Sequence, residues 1–140
     1  MGLRERMLSL PLESRFAFDE RNNTLFINFE GYNVKSLGDI QAIRLQVERL
    51  TLPRGQRVHA IVNYDNFSIA PDVLDAYTDM IKELMTRYYA GVTRYTTSSF
   101  LRAKLGKALA ERSVAPHIYE SAAEAHAYLQ SQDQKTANSA

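Results

Sequence analysis

The chain has 140 residues, 45% of them hydrophobic, and carries 17 basic and 16 acidic side chains but no cysteine. This length accommodates one hydrophobic core, and the charge balance gives no electrostatic reason to expect nucleic acid or an anionic membrane as a partner. The lack of cysteine excludes a disulfide scaffold, a thiolate nucleophile and cysteine-ligated metal. No apolar run approaches the roughly 20 residues that span a bilayer, and residues 1–8 do not resemble a signal peptide, so we expect a cytoplasmic protein.

The first predicted elements are the two strands of a hairpin. Residues 15–18 alternate polar and apolar side chains, and residues 24–29 form a second, more apolar run. Between them, residues 19–23 contain Asp and Asn, which favour turns.

A helix is predicted next, beginning at the capping-box spacing of Ser36 and Asp39. Its apolar stripe repeats at three and four residues and consists of Ile40, Ile43, Val47 and Leu50. Pro53 and Gly55 end it, and the apolar run 58–62 is typical of a strand buried on both faces.

A second helix is predicted to begin near Pro71 and to stop at Gly91. Its predicted buried face consists of Leu74, Tyr77, Ile81, Leu84 and Tyr88. Arg87 and Tyr89, at its end, are residue types enriched at protein–protein hot spots and are predicted to be free for a partner. A fourth strand follows at 92–96.

The last third of the chain predicts a helix, a short fifth strand at 116–119 and a final helix opened by a capping box at Ser121. The first of these helices carries Leu101, Leu105, Ala108 and Leu109. Residues 131–140 have no apolar side chain larger than alanine and are predicted to be a disordered tail. We therefore expect a lead-in segment at 1–14 and one α/β domain at 15–130.

The element order is a hairpin followed by alternating helix and strand, which favours an α/β fold with a mixed five-stranded sheet and about four helices. Anti-sigma-factor antagonist (STAS-like) and flavodoxin-like topologies both fit this order.

Two polar segments follow neighbouring strands, and ligands in open α/β sheets bind outside the carboxyl ends of the strands. The first segment, 63–68, supplies the candidate binding residues Asn63, Tyr64, Asp65 and Asn66. A plain turn whose aromatic rings close over the core explains the same residues.

The second segment leads into a helix and supplies Arg94, Thr96, Thr97, Ser98 and Ser99. Hydroxyls and an arginine at a helix N-terminus are typical of an anion site, and a simple N-cap is the alternative. The sequence contains no phosphate-binding glycine loop and no helical metal-ligand pair, so we assign no catalytic residue and no metal.

Several ordered segments together resemble one family. Residues 1–12 resemble the junction just after the catalytic core of long-form acyl-CoA:acetate/3-ketoacid CoA-transferases. Similarity to the C-terminal extension of the same enzymes is found in residues 28–31, 62–67, 87–97 (Arg-Tyr-Tyr-Ala-Gly-Val-Thr-Arg-Tyr-Thr-Thr), 100–106 and 114–121. The likeness extends to about Leu129, and it implies the STAS-like fold.

The resemblance also implies a role. The glutamate that forms the acyl intermediate in that family belongs to the core domains and has no counterpart here, so the isolated chain is expected to be an inactive accessory domain without a cofactor of its own. A CoA thioester would be a substrate of the parent enzyme. Expected partners are the catalytic core domains of the same or a neighbouring chain, and a homo-oligomer is possible. Met1 would then be an internal residue of a longer protein.

Two other functions stay open from the sequence. One is a stand-alone STAS-like regulatory module that binds a protein, although 63–68 lacks the Asp-Ser-Ser-Gly pattern that carries the phosphorylated serine in such antagonists. The other is binding of a small anion or nucleotide at the edge formed by 63–68 and 94–99.

Overall fold

The computed structural model describes residues 10–139, and the side chains as far as residue 130. The predicted lead-in segment 1–14 therefore lies mostly outside the described residues. Six strands and four α-helices follow one another in the described range: β1 (Phe16–Asp19), β2 (Thr24–Asn28), β3 (Asn33–Val34), α1 (Leu37–Thr51), β4 (Val58–Asn63), β5 (Ser68–Ile69), α2 (Leu74–Arg87), β6 (Tyr89–Tyr95), α3 (Ser99–Glu111) and α4 (Ala122–Ser139). None of these helices combines the length and apolarity needed to cross a membrane.

Four of the strands form one mixed sheet in the order β1-β2-β4-β6. β1 and β2 pair antiparallel, as the predicted hairpin requires, whereas β4 runs parallel to both β2 and β6. The apolar run of β4 explains its central position, because its residues are buried from Val58 to Val62 apart from the exposed His59. The predicted α/β class is confirmed.

Helices α1 and α2 cover the same face of this sheet. A void of only about 10 Å³ at their meeting point is lined by Ile43 and Val47 of α1, Ile81 and Leu84 of α2, and Val62 of β4. Such a small void leaves no room for a ligand. Helix α3 contacts α2, and α4 contacts β6.

The predicted start of α1 is confirmed in detail. The Ser36 hydroxyl accepts a 3.2 Å hydrogen bond from the Asp39 N–H, and the Asp39 carboxylate accepts bonds from the N–H groups of Ser36 and Lys35. These contacts satisfy backbone donors that the first helical turn would otherwise leave without partners. The helix then passes into a 3₁₀ turn that ends at Gly55, whose φ is +66°.

A second, two-stranded sheet was not predicted. β3 and β5 pair parallel, and Val34 and Ile69 are buried in it. Each strand has only two residues, which is too short for an alternating pattern to appear in the sequence.

The predicted fifth strand at 116–119 is wrong. This segment contacts the sheet through one isolated parallel bridge between Tyr119 and Tyr95. Pro116 has no N–H to donate, and within the segment only Ile118 is buried. The main sheet of the described residues therefore has four strands.

The predicted end of the second helix is also corrected. Helix α2 ends at Arg87, where the Tyr88 N–H still bonds to the Leu84 carbonyl, and β6 begins at once with Tyr89. Gly91 lies inside β6 opposite His59 and stops no helix. Tyr89 is only 5% exposed, so it is not free for a partner, whereas Arg87 is exposed.

The last helix is longer than the sequence suggests. The Ser121 hydroxyl accepts a 3.2 Å hydrogen bond from the Glu124 N–H, as the predicted cap requires. The helical backbone continues to Ser139 and so extends through most of the segment 131–140, for which the composition predicts a disordered tail.

Candidate functional site

The carboxyl ends of the three parallel strands meet at one edge of the main sheet. Asn28 at the end of β2 pairs with Asn63 at the end of β4, and Asn63 pairs with Tyr95 at the end of β6. The loops after β4 and β6 are therefore neighbours, as predicted for parallel strands. This edge is the candidate site.

The two asparagines tie the first two loops together. Nδ2 of Asn63 donates to Oδ1 of Asn28 at 3.2 Å, and the same oxygen accepts the Glu30 N–H at 3.0 Å. Oδ1 of Asn63 in turn accepts the N–H of Asp65 at 2.9 Å. Both amides thus form Asx-type turns with their own loops and use polar atoms that a ligand would otherwise contact.

Asp65 joins the loop after β4 to the loop after β6. Its Oδ1 accepts the Thr97 N–H at 2.7 Å and the Thr97 hydroxyl at 3.2 Å. Its carbonyl accepts the Gly31 N–H at 3.0 Å, so the loop after β2 is included as well. A carboxylate of the protein therefore lies where the hydroxyls before α3 were predicted to bind an anion.

Backbone N–H groups at the start of α3 are capped by side chains of the same segment. Oγ1 of Thr96 accepts the Ser98 N–H at 3.2 Å, and Oγ of Ser98 accepts the Leu101 N–H at 3.1 Å. Nη1 of Arg102 donates to the Thr96 carbonyl at 2.7 Å. The N-cap alternative for this segment is therefore what the structure contains.

Three of the nine predicted binding residues lie beneath the edge rather than on it. Tyr64, Arg94 and Thr96 are 1%, 3% and 0% exposed. Arg94 pairs with Val62 in the sheet, and its Nη1 donates to the Ala115 carbonyl at 3.2 Å. Its guanidinium thus connects β6 to the segment after α3 and does not reach solvent at the edge.

Tyr64 belongs to a buried polar pair. Its hydroxyl lies 2.7 Å from that of Tyr77, and both side chains are almost completely buried. Burial raises the pKa of both phenols, and the guanidinium of Arg94 opposes this rise. Both phenols are therefore neutral hydrogen-bonding groups in the interior at physiological pH.

The remaining six predicted residues do reach the surface. Asn66, Thr97 and Ser99 are exposed, and Asn63, Asp65 and Ser98 are half-buried. Asn66 has a φ of +54°, a left-handed conformation that asparagine tolerates, and the chain turns there so that Phe67 returns to the core. Phe67 then contacts the rings of Phe29, Tyr64 and Tyr77 at centroid distances between 4.9 and 5.8 Å.

Sequence reasoning missed the contributions of Arg15 and Asn28. Arg15 is 2% exposed, and its Nη1 donates to the carbonyls of Asn28 at 3.1 Å and Glu30 at 2.8 Å, which fixes the loop after β2. Burial lowers the pKa of this guanidinium. The signal available for Asn28 was its place at the end of a strand, three positions before the turn glycine Gly31, whose φ is +70°.

Two larger surface clefts lie away from this edge. A cleft of about 490 Å³ adjoins the β1–β2 turn and the end of α1, where the Arg54 guanidinium lies over the Phe18 ring. A groove of about 310 Å³ separates α1 from α2. Among the described residues, no group of three or more His, Asp or Glu side chains could hold a metal ion.

Helix α1 exposes large apolar side chains on its outer surface. Leu37 and Leu45 of α1 are 62% and 64% exposed, and Leu52, the first residue of the 3₁₀ turn that follows α1, is 60% exposed. Single exposed leucines are ordinary, but several on one helix face are typical of an interaction surface.

Comparison of the chain with models of protein families, with curated proteins and with solved structures found no match.

Proposed function

We propose that the chain is a non-catalytic accessory domain of an acyl-CoA:carboxylate CoA-transferase and that it serves assembly. The observation that carries the non-catalytic role is the bond from Thr97 to Asp65 at 2.7 Å. Together with the bond from Asn63 to Asn28 at 3.2 Å, it uses polar groups of the candidate edge within the protein itself. An arrangement of this kind supports a role in keeping the loops rigid more than a role in catalytic turnover.

The CoA-transferase part of the proposal rests on the ordered resemblance of the segments between residues 1 and 129. The STAS-like identity of the fold belongs to the same proposal. Its support is the hairpin β1–β2 that leads into parallel strands alternating with helices. The core domains of a CoA-transferase are the partner that we propose for this chain, and cytoplasmic localisation follows from that partner.

An activity assay tests the non-catalytic role. The purified chain is mixed with acetyl-CoA and a second carboxylate, and formation of the new thioester is followed by chromatography. We expect no exchange above the protein-free blank, because the reacting glutamate would belong to the core domains. Measurable exchange by the chain alone would overturn the proposal.

A binding experiment separates assembly from ligand binding at the edge. CoA is titrated into isotope-labelled chain while backbone amide resonances are followed by NMR. We expect the resonances of residues 63–68 and 94–99 to stay in place. Saturable shifts there would instead support the small-anion or nucleotide site.

The family assignment has its own test. The separately expressed catalytic core of a long-form CoA-transferase that lacks its C-terminal extension is mixed with this chain, and complex formation is measured by analytical gel filtration. We expect one co-eluting complex. Separate elution at micromolar concentrations would argue against the assignment.

The DNA sequence upstream of the Met1 codon is a second, independent test of the family assignment. An in-frame CoA-transferase core there would support the proposal. An upstream stop codon with a ribosome-binding site would favour the stand-alone regulatory module.

A further inference from the structure

The cleft of about 490 Å³ lies between the β1–β2 turn and the end of α1. Phe18, Glu20 and Asn23 line it from the hairpin, and Arg49 and Arg54 line it from the other side. Small-molecule sites have volumes of about 300–1,000 Å³. This cleft therefore combines enough room for a small ligand with positively charged side chains.

The guanidinium of Arg54 is held in a fixed position in this cleft. Its carbon lies 3.3 Å from the centre of the Phe18 ring, and its Nε donates to the Leu50 carbonyl at 2.9 Å. Its Nη1 contacts the Glu20 carboxylate at 3.3 Å, and the Glu20 side chain is 81% exposed. An ion pair this exposed is weak, so a more highly charged anion can take the place of the carboxylate.

Arg49 supplies a second positive charge to the same cleft. Its side chain is exposed, and it makes no hydrogen bond or ion pair with another residue of the described range 10–130. Among the described residues that line the cleft, the two arginines face a single acidic side chain, that of Glu20. The cleft therefore carries an excess of positive charge, and arginine binds phosphate and carboxylate groups through its forked N–H donors.

The C-terminal end of α1 carries a partial negative charge, which opposes an anion. Donors of the chain already occupy carbonyls at this end. The Leu52 N–H bonds to the Glu48 carbonyl, and Arg54 bonds to the Leu50 carbonyl. Since a helix end is equivalent to only about half a charge, two full charges from the arginines outweigh it.

The lining groups favour a phosphate over a single carboxylate. A ligand that displaces Glu20 and contacts both guanidinium groups needs several oxygens and more than one negative charge. A phosphate monoester has three acceptor oxygens and a charge of about −1.5 to −2 at neutral pH. The cleft is also lined by Pro53 and by the amides of Asn23 and Gln56, and amides of this kind can bond to hydroxyl groups.

We propose that this cleft binds a small phosphorylated molecule whose phosphate lies between Arg49 and Arg54 and whose hydroxyl groups contact the amides of Asn23 and Gln56. The inference goes beyond the proposed function and does not depend on it. Its test is followed at residues 18–23 and 49–56, whereas CoA binding at the sheet edge is followed at 63–68 and 94–99, so each can fail without the other.

The first test titrates ribose 5-phosphate into the isotope-labelled full chain at constant ionic strength and follows backbone amides and the arginine Nε–H groups by NMR. We expect saturable shifts in 18–23 and 49–56 and at the Arg54 Nε–H, with a Kd of about 1 mM or lower. Small shifts that grow without saturation, or shifts spread evenly over all arginines, would overturn the proposal, because they indicate only screening by salt.

Three further probes identify which part of the ligand is bound. Inorganic phosphate should bind at the same residues but at least about threefold more weakly, because it lacks the hydroxyl contacts. Ribose should cause no shifts, and succinate, a dicarboxylate, should bind more weakly than ribose 5-phosphate. Equal affinity for inorganic phosphate would overturn the hydroxyl contacts, and equal affinity for succinate would overturn the preference for phosphate.

Removal of a charge from the cleft should weaken binding. We expect Arg49→Gln to raise the Kd for ribose 5-phosphate about tenfold. Arg87→Gln is the matched control, because Arg87 is also exposed and lies in the last turn of a helix, and it should leave the Kd unchanged. Circular dichroism checks that both variants fold. An unchanged Kd for Arg49→Gln, or an equal rise for both variants, would contradict the proposal.

Removal of the competing carboxylate should have the opposite effect. Glu20→Gln removes a negative charge and the present partner of Arg54, so we expect it to lower the Kd for ribose 5-phosphate about threefold. Loss of a merely structural contact would not improve binding. Unchanged or weaker binding by Glu20→Gln would show that the phosphate does not take the place of this carboxylate and would overturn the proposed arrangement.

Discussion

The carboxylate of Asp65 accepts the backbone N–H of Thr97 at 2.7 Å, across the gap between the loops that follow β4 and β6. Thr97 precedes α3, where backbone N–H groups normally favour a negative charge. The protein supplies that charge itself. The segments in which the sequence predicts a binding site are therefore joined to each other by this contact. Its contribution to the free energy of unfolding can be measured.

Replacing Asp65 by alanine should lower the free energy of unfolding by about 1–3 kcal/mol, because the variant loses a charged acceptor for both the N–H and the hydroxyl of Thr97. Urea denaturation measures this loss, and hydrogen exchange of the Thr97 amide should become faster. Asp65→Asn is the control, since it keeps an oxygen that can accept, and it should lose less stability. Equal stability of wild type and Asp65→Ala would mean that the contact contributes nothing.

Local signals in the sequence predicted most of the fold. The Ser36 and Asp39 spacing located the start of α1, and the apolar run of β4 located the central strand. The predicted fifth strand failed because a bridge at Tyr119 needs only one pair of residues, whereas residues 116–119 have the composition of a longer strand. Burial of Tyr89 could not be predicted either, because it depends on β6 beginning immediately after α2.

The candidate site was predicted only in its position. Parallel strands implied that 63–68 and 94–99 would share an edge, and they do. The hydrogen bond between Asp65 and Thr97 joins residues 32 positions apart, and no local pattern encodes such a pair. Arg94 lies in β6 two positions after Val92, on the same side of the strand, but its neighbour Thr93 on the other side is buried as well, so alternation alone does not predict the burial of Arg94.

The hydroxyls of Tyr64 and Tyr77 should behave as an energetically coupled pair. Tyr64→Phe leaves the buried Tyr77 hydroxyl without its 2.7 Å partner, which should cost about 1–3 kcal/mol of the free energy of unfolding. Tyr77→Phe should cost less, because the Tyr64 hydroxyl keeps its interaction with Arg94.

The double variant completes a thermodynamic cycle for this pair. We expect its loss to be smaller than the sum of the two single losses by at least about 0.5 kcal/mol. Urea denaturation of the wild type, the two single variants and the double variant measures the four free energies of unfolding. Strict additivity would show that the two hydroxyls do not interact.

The protein should lose stability in strong alkali. Burial raises the pKa of Tyr64, Tyr77 and Tyr89 in the folded state, whereas an unfolded tyrosine ionises near pH 10. Above about pH 10 the unfolded chain therefore binds fewer protons than the folded chain, and the free energy of unfolding falls as pH rises. Below about pH 10 these groups stay protonated in both states, so their contribution to the free energy of unfolding no longer changes with pH.

Absorbance at a phenolate wavelength, combined with denaturation at neutral and alkaline pH, measures this effect. Some of the eight tyrosines should titrate only when the protein unfolds, and Tyr89→Phe should make the alkaline loss of stability shallower. Simultaneous titration of all tyrosines near pH 10 in a protein that is still folded would contradict the prediction.

Two glycines inside regular elements should respond differently to the same substitution. A Cβ on Gly106 in α3 would lie 3.3 Å from the carbonyl oxygen of Pro116, whereas a Cβ on Gly91 in β6 would meet only the exposed His59 ring, at 3.5 Å. Gly106→Val should therefore lower the free energy of unfolding by about 1–3 kcal/mol through overpacking. Gly91→Val should cause no loss, because valine suits a strand. Thermal and urea denaturation compare the two variants, and an equal effect would show that the contact with Pro116 relaxes without cost.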